Sequence, residues 1–282
     1  MSGAAQSRCE TALSPPRGPA LSAGGHSASA ATIGAVIITR DEARNLPACL
    51  ASLSWCDEIV VLDCGSTDAT VELARTAGAR VEVTPDWPGF GPQKNRALQL
   101  ARSDWVLSID ADERVDADLA DEIRAAVSSG AEYVGYRMPR LSSFCGRYMR
   151  HGGWYPDRVL RLFRRDRGRF SDDIVHETVQ CRGPIGDLRC DLRHESFHDF
   201  EQVLRKIDAY STAGAVKLHA RGRRGSLGRA VAHGAWTFVR GYVLRAGFLD
   251  GRMGLALALS NAHGTYYRYV KLWLLQRDAS SR

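Results

Sequence analysis

A series of short apolar runs, each closed by a polar residue and each separated from the next by a helical stretch, governs what this chain can become. Ile33–Thr39 is continuous in apolar and β-branched side chains, the pattern of a strand buried on both faces of a parallel sheet. Further runs at 58–62, 80–84 and 105–109 repeat it. Between them, 42–53 carries Leu46, Leu50 and Leu53 at helical spacing, and 67–77 and 93–101 read as helices. Repeated β-α-β-α with short connections implies an α/β fold, a mainly parallel sheet flanked by helices. Ligands of such sheets gather beyond the carboxyl ends of the strands. Thr39, Asp63 and Asp110 all stand at those ends.

The last of these strands runs into Asp110-Ala111-Asp112-Glu113. Two carboxylates one residue apart at a strand edge can aim hard oxygens at Mg²⁺ or Mn²⁺, which neutralises a bound diphosphate. Taken alone, the same residues read more simply as a solvated turn or helix cap. No Gly-x-Gly-x-x-Gly follows the first strand and no Gly-Lys-Ser/Thr occurs, so the dinucleotide fingerprint and the P-loop are both excluded. Asp63-Cys64-Gly65-Ser66-Thr67 has the residues of a strand-to-helix turn, with Ser66 or Thr67 as N-cap. A carboxylate closing an apolar strand needs donors, and a nucleobase imide or ribose hydroxyls would supply them to Asp63.

Composition is that of a globular protein: 282 residues, 44% hydrophobic and 25% charged. Residues 1–31 are rich in Ser, Ala, Gly and Pro, which predicts a disordered tail with no secretory signal. Seven scattered cysteines form no Cys-x-x-Cys pair and read as reduced thiols, mostly buried. The formal charge of +6 is concentrated beyond Arg205, which predicts a polyanionic surface as partner.

Four segments carry a resemblance. Ile37-Ile38-Thr39-Arg40-Asp41-Glu42, Val61 through Thr70, Gln93-Lys94-Asn95-Arg96-Ala97-Leu98 and Ile109-Asp110-Ala111-Asp112-Glu113 resemble, in order, the motifs of glycosyltransferase family 2. The resemblance implies a GT-A (Rossmann-like) fold, a nucleotide-sugar donor, a divalent metal (Mn²⁺ or Mg²⁺) and inversion at the anomeric carbon. It places Thr39, Arg40 and Asp63 against uridine, Lys94 near the nucleotide, and Asp110 and Asp112 in the metal motif. Asp41 stands where the family usually has Asn, and a short acid can still cap the following helix.

The second half narrows the resemblance. Trp154 through Arg165, Val175-His176-Glu177, Leu192-Arg193-His194 and Phe248 through Leu255 look like bacterial lipopolysaccharide inner-core glucosyltransferases, which add β-linked glucose from UDP-glucose to a core heptose. Inversion requires a base for the acceptor hydroxyl. Glu177, placed where family 2 enzymes carry an acid after the metal motif, is the expected base and Asp173 the substitute. His176 is read as orienting Glu177, and His194 as a third metal ligand or phosphate donor, or both as ordinary polar histidines. Arg158, Arg161, Arg164 and Arg165 interleave with apolar residues, as a strand facing an anionic acceptor would, or as a solvated face balanced by Asp157 and Asp166.

Segments 227–249 and 255–275 are apolar but broken by charges, and they read as amphipathic helices on anionic lipid or as helices docked on the catalytic domain. The expected organisation is a tail (1–31), a catalytic domain (32–200, with a nucleotide half 32–137 and an acceptor half 138–200) and a basic membrane-associating region (201–282). The implied partners are a UDP-sugar, a lipopolysaccharide or lipid-linked glycan acceptor and an anionic membrane surface, at the cytoplasmic side of the inner membrane. A polyprenyl-phosphate sugar synthase would share every donor motif. A basic nucleic-acid-binding module would have its phosphates repelled by the strand-end acids, so no nucleic acid is expected. A catalytically dead membrane scaffold is the remaining class.

Overall fold

The computed structural model describes residues 31–130, 132–171 and 177–280. Apart from Ala31, the tail lies outside the described residues, as do Asp173 and His176. From Ala31 onward the chain forms one compact unit.

The expected alternation is present: β1 (Ile33–Thr39), α1 (Leu46–Ser52), β2 (Glu58–Asp63), α2 (Thr70–Thr76), β3 (Arg80–Val83), α3 (Phe90–Leu100) and β4 (Trp105–Ser108). The strands form the parallel half of a ten-stranded sheet, in the order β3-β2-β1-β4. Next come β5 (Glu113–Arg114), α4 (Ala117–Ser128), β6 (Gly135–Phe144), β7 (Arg147–Tyr148), β8 (Asp157–Arg164), β9 (Gly168–Phe170), β10 (Val179–Cys181), β11 (Ile185–Asp187) and β12 (Leu192–His194). Of these, β8, β6, β12 and β5 extend the order to β4-β8-β6-β12-β5, with β8 antiparallel to both β4 and β6, β7 and β11 pair with β6, and β9 and β10 form a separate two-stranded sheet. The sheet is therefore mixed in its second half, because neighbouring antiparallel strands need no crossover helix. The whole is an α/β sheet of GT-A type.

The helices α1 and α2 start later than their apolar spacing predicts. Glu42 N–H donates to Thr70 Oγ1 and Ala43 N–H to Asp68 Oδ2, so these backbone groups lace two loops together instead of opening a helix. Ala69, not Ser66 or Thr67, occupies the N-cap of α2. Asp41 does not cap its own helix either: it sits at a φ of 54°, and its Oδ1 accepts the N–H and hydroxyl of Thr67.

The apolar run of β1 is divided between two cores by its pleat. Ile33, Ala35 and Ile37 pack with Leu46, Leu50 and Ile123 on one face, while Val36 packs with Leu98, Val106 and Phe163 on the other. A third cluster, Phe144, Met149, Val203 and Leu257, joins the sheet to the C-terminal helices α5 (Phe200–Ala220) and α7 (Gly251–Ser280), and α6 (Leu227–Phe238) packs on α7. The 227–249 segment is not one helix. After α6 it passes through a π-helical turn, Val239–Leu244, and a 3-10 turn, Gly247–Asp250. A side chain on Gly247 would collide with the backbone of Gly241 and approach that of Gly152 to 3.4 Å, so the close packing of this turn requires glycine. No helix among the described residues is long and apolar enough to cross a membrane. Among the described residues six cysteines are free, but only Cys49 and Cys64 are buried.

Glu58 ties the sheet to the turn before β4. Its Oε1 accepts Arg102 N–H (2.5 Å), Ser103 N–H (2.7 Å) and Ser103 Oγ–H (2.7 Å). Burial alone would raise its carboxyl pKa, but these donors outweigh it and hold the group below the ordinary glutamate value. A depressed acid stabilises the fold above its unfolded pKa, and the stabilisation disappears as pH falls through the folded pKa. Glu58→Ala is expected to cost about 2 kcal/mol near neutral pH, and the gap to wild type should shrink in acid. Urea unfolding midpoints at pH 7 and pH 3 check this, and a gap undiminished at pH 3 would reject the charge-based account.

Candidate active site

Loops leaving β1 and β2 form the first wall. Asp63, fully buried, receives Gly65 N–H (2.9 Å) and Ser66 N–H (2.7 Å) at Oδ1, and the hydroxyls of Thr39 (2.8 Å) and Ser66 (2.5 Å) at Oδ2. Donors for this carboxylate are thus supplied by the chain itself, where the sequence suggested a nucleobase imide or ribose hydroxyls. Gly65, at a φ of 82°, makes the turn that brings them round. Thr39 is buried at its strand end, and Arg40 follows it exposed.

The second wall is the acidic turn after β4. Glu113 N–H donates to the Asp110 carbonyl (2.9 Å), and Glu113 Oε2 accepts the Asp110 N–H (2.9 Å). The turn carries the chain from the middle of the sheet to its far edge, where β5 pairs antiparallel with β12 and Glu113 stands opposite His194. That crossing brings Asp112 Oδ2 to 3.2 Å from His194 Nε2. The other ring nitrogen, Nδ1, lies 2.9 Å from Ser142 Oγ, a contact that orients the imidazole towards Asp112.

Two cations hold Asp110. Lys94 on α3, 5% exposed, reaches Asp110 Oδ1 at 3.0 Å and Glu177 Oε1 at 2.9 Å. Arg161 on β8 binds Asp110 Oδ2 and, at 2.6 Å, the fully buried Glu113 Oε1. Burial opposes ionisation of Asp110, but Arg161 and Lys94 outweigh it and hold the carboxyl well below the usual carboxylate range. Burial likewise opposes the Arg161 charge, and the two carboxylates more than restore it.

The arginine row of β8 is consequently not one acceptor-facing surface. Arg161 points at the acidic turn, Arg158 lies 3.5 Å from Asp187, Arg164 sits over the Trp105 ring, and Arg165 donates to the Ser103 carbonyl. A register shift at Tyr136/Arg137 breaks the regular pairing of β6 with β8.

Glu42 is a further carboxylate facing Asp112 and Asp110. Burial raises its pKa, the Asn45 amide works against this, and Asp112, Asp68 and Asp110 add to the rise. Asn45 Nδ2 donates to Glu42 Oε2 (2.9 Å), and His198 Nε2 lies 2.7 Å from Asn45 Oδ1. Glu113, Arg161 and Glu42 are the members that the sequence reading did not single out for this site. Glu42 and Glu113 close the first and fourth motifs and Arg161 belongs to the arginine row, but nothing in the sequence shows that the three meet.

Negative charge is unevenly answered across the site. Asp110, Glu113 and Glu177 have Lys94 and Arg161, whereas Asp112 has a histidine and the nearby Glu42 but no lysine or arginine ion pair among the described residues. Carboxylate oxygen beside imidazole nitrogen, without a competing cation, is a donor pair that fits a divalent ion. Among the described residues no group of three His, Cys, Asp or Glu is placed to hold a metal, so phosphate or water oxygens would have to complete the shell.

Residues 35–188 match the family described as glycosyl transferase family 2, more than half of the chain. A lipopolysaccharide core biosynthesis glycosyltransferase, LpsC of Rhizobium meliloti, is 30% identical over 256 residues, covering 84% of this chain and 93% of that protein. An uncharacterised glycosyltransferase of Rickettsia typhi is 30% identical over 252 residues, covering 85% and 86%. Among solved structures, glucosyl-3-phosphoglycerate synthase from Mycobacterium tuberculosis, in complex with Mn²⁺, UDP-glucose and phosphoglyceric acid, is 28% identical. That match covers 39% of this chain and less than half, 44%, of the other, with a TM-score of 0.35, too loose to support an argument.

Arg161→Gln would leave the buried Glu113 with only the more distant Arg140, at 3.6 Å, as a cation and would remove half of the clasp on Asp110. Breaking a buried pair in this way costs about 3 kcal/mol or more, so Tm should fall by at least about 6 °C in a chain of this size. Arg158→Gln, which removes a largely exposed partner of Asp187, should change Tm far less. Equal shifts for the two variants, read by scanning calorimetry, would remove the special role of Arg161.

Proposed function

Because the chain belongs to glycosyltransferase family 2, we propose that it is an inverting, metal-dependent hexosyltransferase that moves glucose from UDP-glucose to a heptose of the lipopolysaccharide core, at the cytoplasmic face of the inner membrane. The observation that carries this reading is the Asp112–His194 pair, set beyond the strand ends of a parallel half-sheet and next to an Asp110 already neutralised by lysine and arginine. The lipopolysaccharide acceptor is supported by the similarity to LpsC along most of both chains.

On this reading Thr39, Arg40 and Asp63 form the uridine end of the donor site, with Asp63 acting mainly through the loop it organises. Lys94 lies towards the phosphates. Asp112 and His194 are the residues that would hold Mn²⁺ or Mg²⁺, and Asp110 joins them only by releasing Lys94 or Arg161. When bound, the ion supplies charge stabilisation for the departing diphosphate. The acceptor oxygen forms its bond to the anomeric carbon as the bond to the UDP oxygen breaks, and the hydroxyl proton passes to Glu177. Lys94 Nζ, 2.9 Å from Glu177 Oε1, would hold that carboxylate in place. Asp173 remains the alternative base.

Residues 32–200 are the proposed catalytic domain and 201–282 the membrane-associating region. Large apolar side chains stand exposed across the latter, among them Tyr210 (58%), Val231 (60%), Trp236 (56%) and Leu244 (63%). Interleaved with its arginines and lysines, they suit an anionic bilayer surface.

Calorimetry with UDP-, ADP-, GDP- and CMP-sugars, with and without Mn²⁺, tests the donor site. Manganese-dependent binding of UDP-glucose, lost in Asp112→Ala, is the expected result, and no binding of any nucleotide sugar under any condition would sink the reading. Glu177→Gln should keep donor affinity and lose about 10²-fold or more in turnover. Near-normal turnover in Glu177→Gln together with inactive Asp173→Asn would transfer the base to Asp173.

A further inference from the structure

A cavity of about 830 Å³ lies between α5, α6 and α7 and the 151–154 loop. We propose that it binds an anionic amphiphile, and that its occupant is the phosphate- or carboxylate-bearing glycolipid that accepts the sugar. The assignment as acceptor rests on the transferase reading above, whereas the binding chemistry rests on the cavity itself.

Charge is the first argument. Lys206, Lys217, Arg240, Arg245 and Arg268 line the cavity, and none of them has an ion pair among the described residues. The carboxylate lining it, Asp250, is already engaged by His151 Nδ1 (2.8 Å), His151 N–H (2.9 Å) and Arg150 N–H (3.3 Å). Arg268 Nε is buried without a hydrogen-bond partner. That nitrogen packs against Gly214 of α5, and an anionic ligand in the cavity would supply the counter-charge that the rest of the guanidinium lacks.

The walls supply the second argument. Phe144, Trp154 and Phe197 form an aromatic cluster with ring centroids 6.0–6.2 Å apart, and Ile207 and Trp236 also line the space. Lys206 Nζ lies 4.7 Å from the Phe197 ring centroid, so cation and aromatic surface are presented together. A small free anion would leave those walls unused, and a neutral lipid would leave the cations unanswered. The volume suits a headgroup with part of its apolar moiety. Tyr210 and Trp236, both lining residues and each more than half exposed, mark a mouth on the same apolar surface that is assigned to the membrane.

Position is the third. On β6, Ser142 contacts His194, and Phe144, two residues on, lines the cavity. Past β12, Glu195 accepts the hydroxyls of Ser143 and Tyr148, whose neighbour Met149 is again a lining residue, and Phe197 follows on the far wall. These short stretches of chain join the cavity wall to the segments that carry His194 and its contact with Asp112, so a lipid held here would be anchored on the same strands as the candidate site.

The test uses the full chain and three probes below their aggregation limits: dioctanoyl phosphatidic acid, dioctanoyl phosphatidylcholine and inorganic phosphate. Binding is read by tryptophan fluorescence and calorimetry, with Mn²⁺-UDP-glucose affinity measured in the same samples. Phosphatidic acid is expected to bind at least tenfold more tightly than either other probe. Arg268→Gln and Arg240→Gln should each weaken it fivefold or more. Gly264→Leu should do the same without removing charge, because a Cβ at Gly264 meets only Ile207, at 3.8 Å, and the longer side chain would occupy the space. Equal binding of both lipids, phosphate binding as tightly as phosphatidic acid, or no effect of these three substitutions would each overturn the proposal. Donor binding without lipid binding would reject the cavity assignment and leave the transferase reading intact. Lipid binding by a protein that takes no nucleotide sugar would overturn the acceptor assignment.

Discussion

Arg161 is a guanidinium with almost no water to fall back on, and the geometry of the candidate site follows from what it holds. It reaches across to Asp110 and Glu113, 51 and 48 residues earlier in the chain. Glu113 in turn accepts the Asp110 N–H, so one cation and one buried carboxylate fix the acidic turn at both its backbone and its side chain. Such a pair contributes little net stability over an apolar substitute, but an error in it is expensive, and that asymmetry favours a single arrangement. The arrangement selected here delivers β5 to the edge beside β12, and that pairing is what sets Asp112 against His194.

The same clasp divides the labour of the two aspartates. Asp110 is flanked by Lys94 and Arg161, and a divalent ion placed on it would meet both positive charges at short range. Asp112 carries no such burden. On the proposed reading, a metal brought in with a diphosphate would meet the least repulsion on the Asp112 side, and Lys94 would turn to the phosphates only by loosening its pairs with Asp110 and Glu177. One residue of spacing thus separates a carboxylate with a chiefly structural and electrostatic role from one available for ligation. Burial is the main reason the Glu42 pKa is raised, and Asp112, Asp68 and Asp110 add to the rise from that open side.

Much of this frame was legible from local pattern. The apolar runs located β1 to β4, and the polar residues closing them located the strand ends, because burial on both faces of a parallel strand imposes a continuous apolar sequence. Placing His194 near the aspartates came from the family resemblance, and the structure brings Asp112 and His194 together. What stayed hidden depends on contacts distant in sequence. An alternating arginine strand reads identically whether a given guanidinium faces solvent or a buried carboxylate, so the partner of Arg161 could not be inferred. The donors to Asp63 were hidden because Ser66 looked like a helix cap, and only the folded loop turns its N–H and hydroxyl back onto the strand end. The delayed starts of α1 and α2 have the same origin: residues 41–43 spend their backbone donors on the neighbouring loop. Sequence periodicity reports which faces are buried, and it says little about which polar groups find one another.

Strand β6 is the physical link between the two halves of the proposed reaction. Side chains two residues apart on a strand point to the same face, roughly 7 Å from one another, so Ser142 beside His194 and Phe144 in the cavity wall belong to one rigid edge. An acceptor anchored by its charge in the C-terminal cavity would have its free hydroxyl held at a near-constant offset from Asp112, without any contact to the sugar itself being tight. Fixing the reactant through a remote group removes orientational freedom before the bond-forming step, and binding energy used that way appears in turnover rather than in affinity alone. If the C-terminal helices meet a lipid surface as proposed, they would therefore act on the transfer chemistry, through the strand they pack against, as well as on where the protein resides.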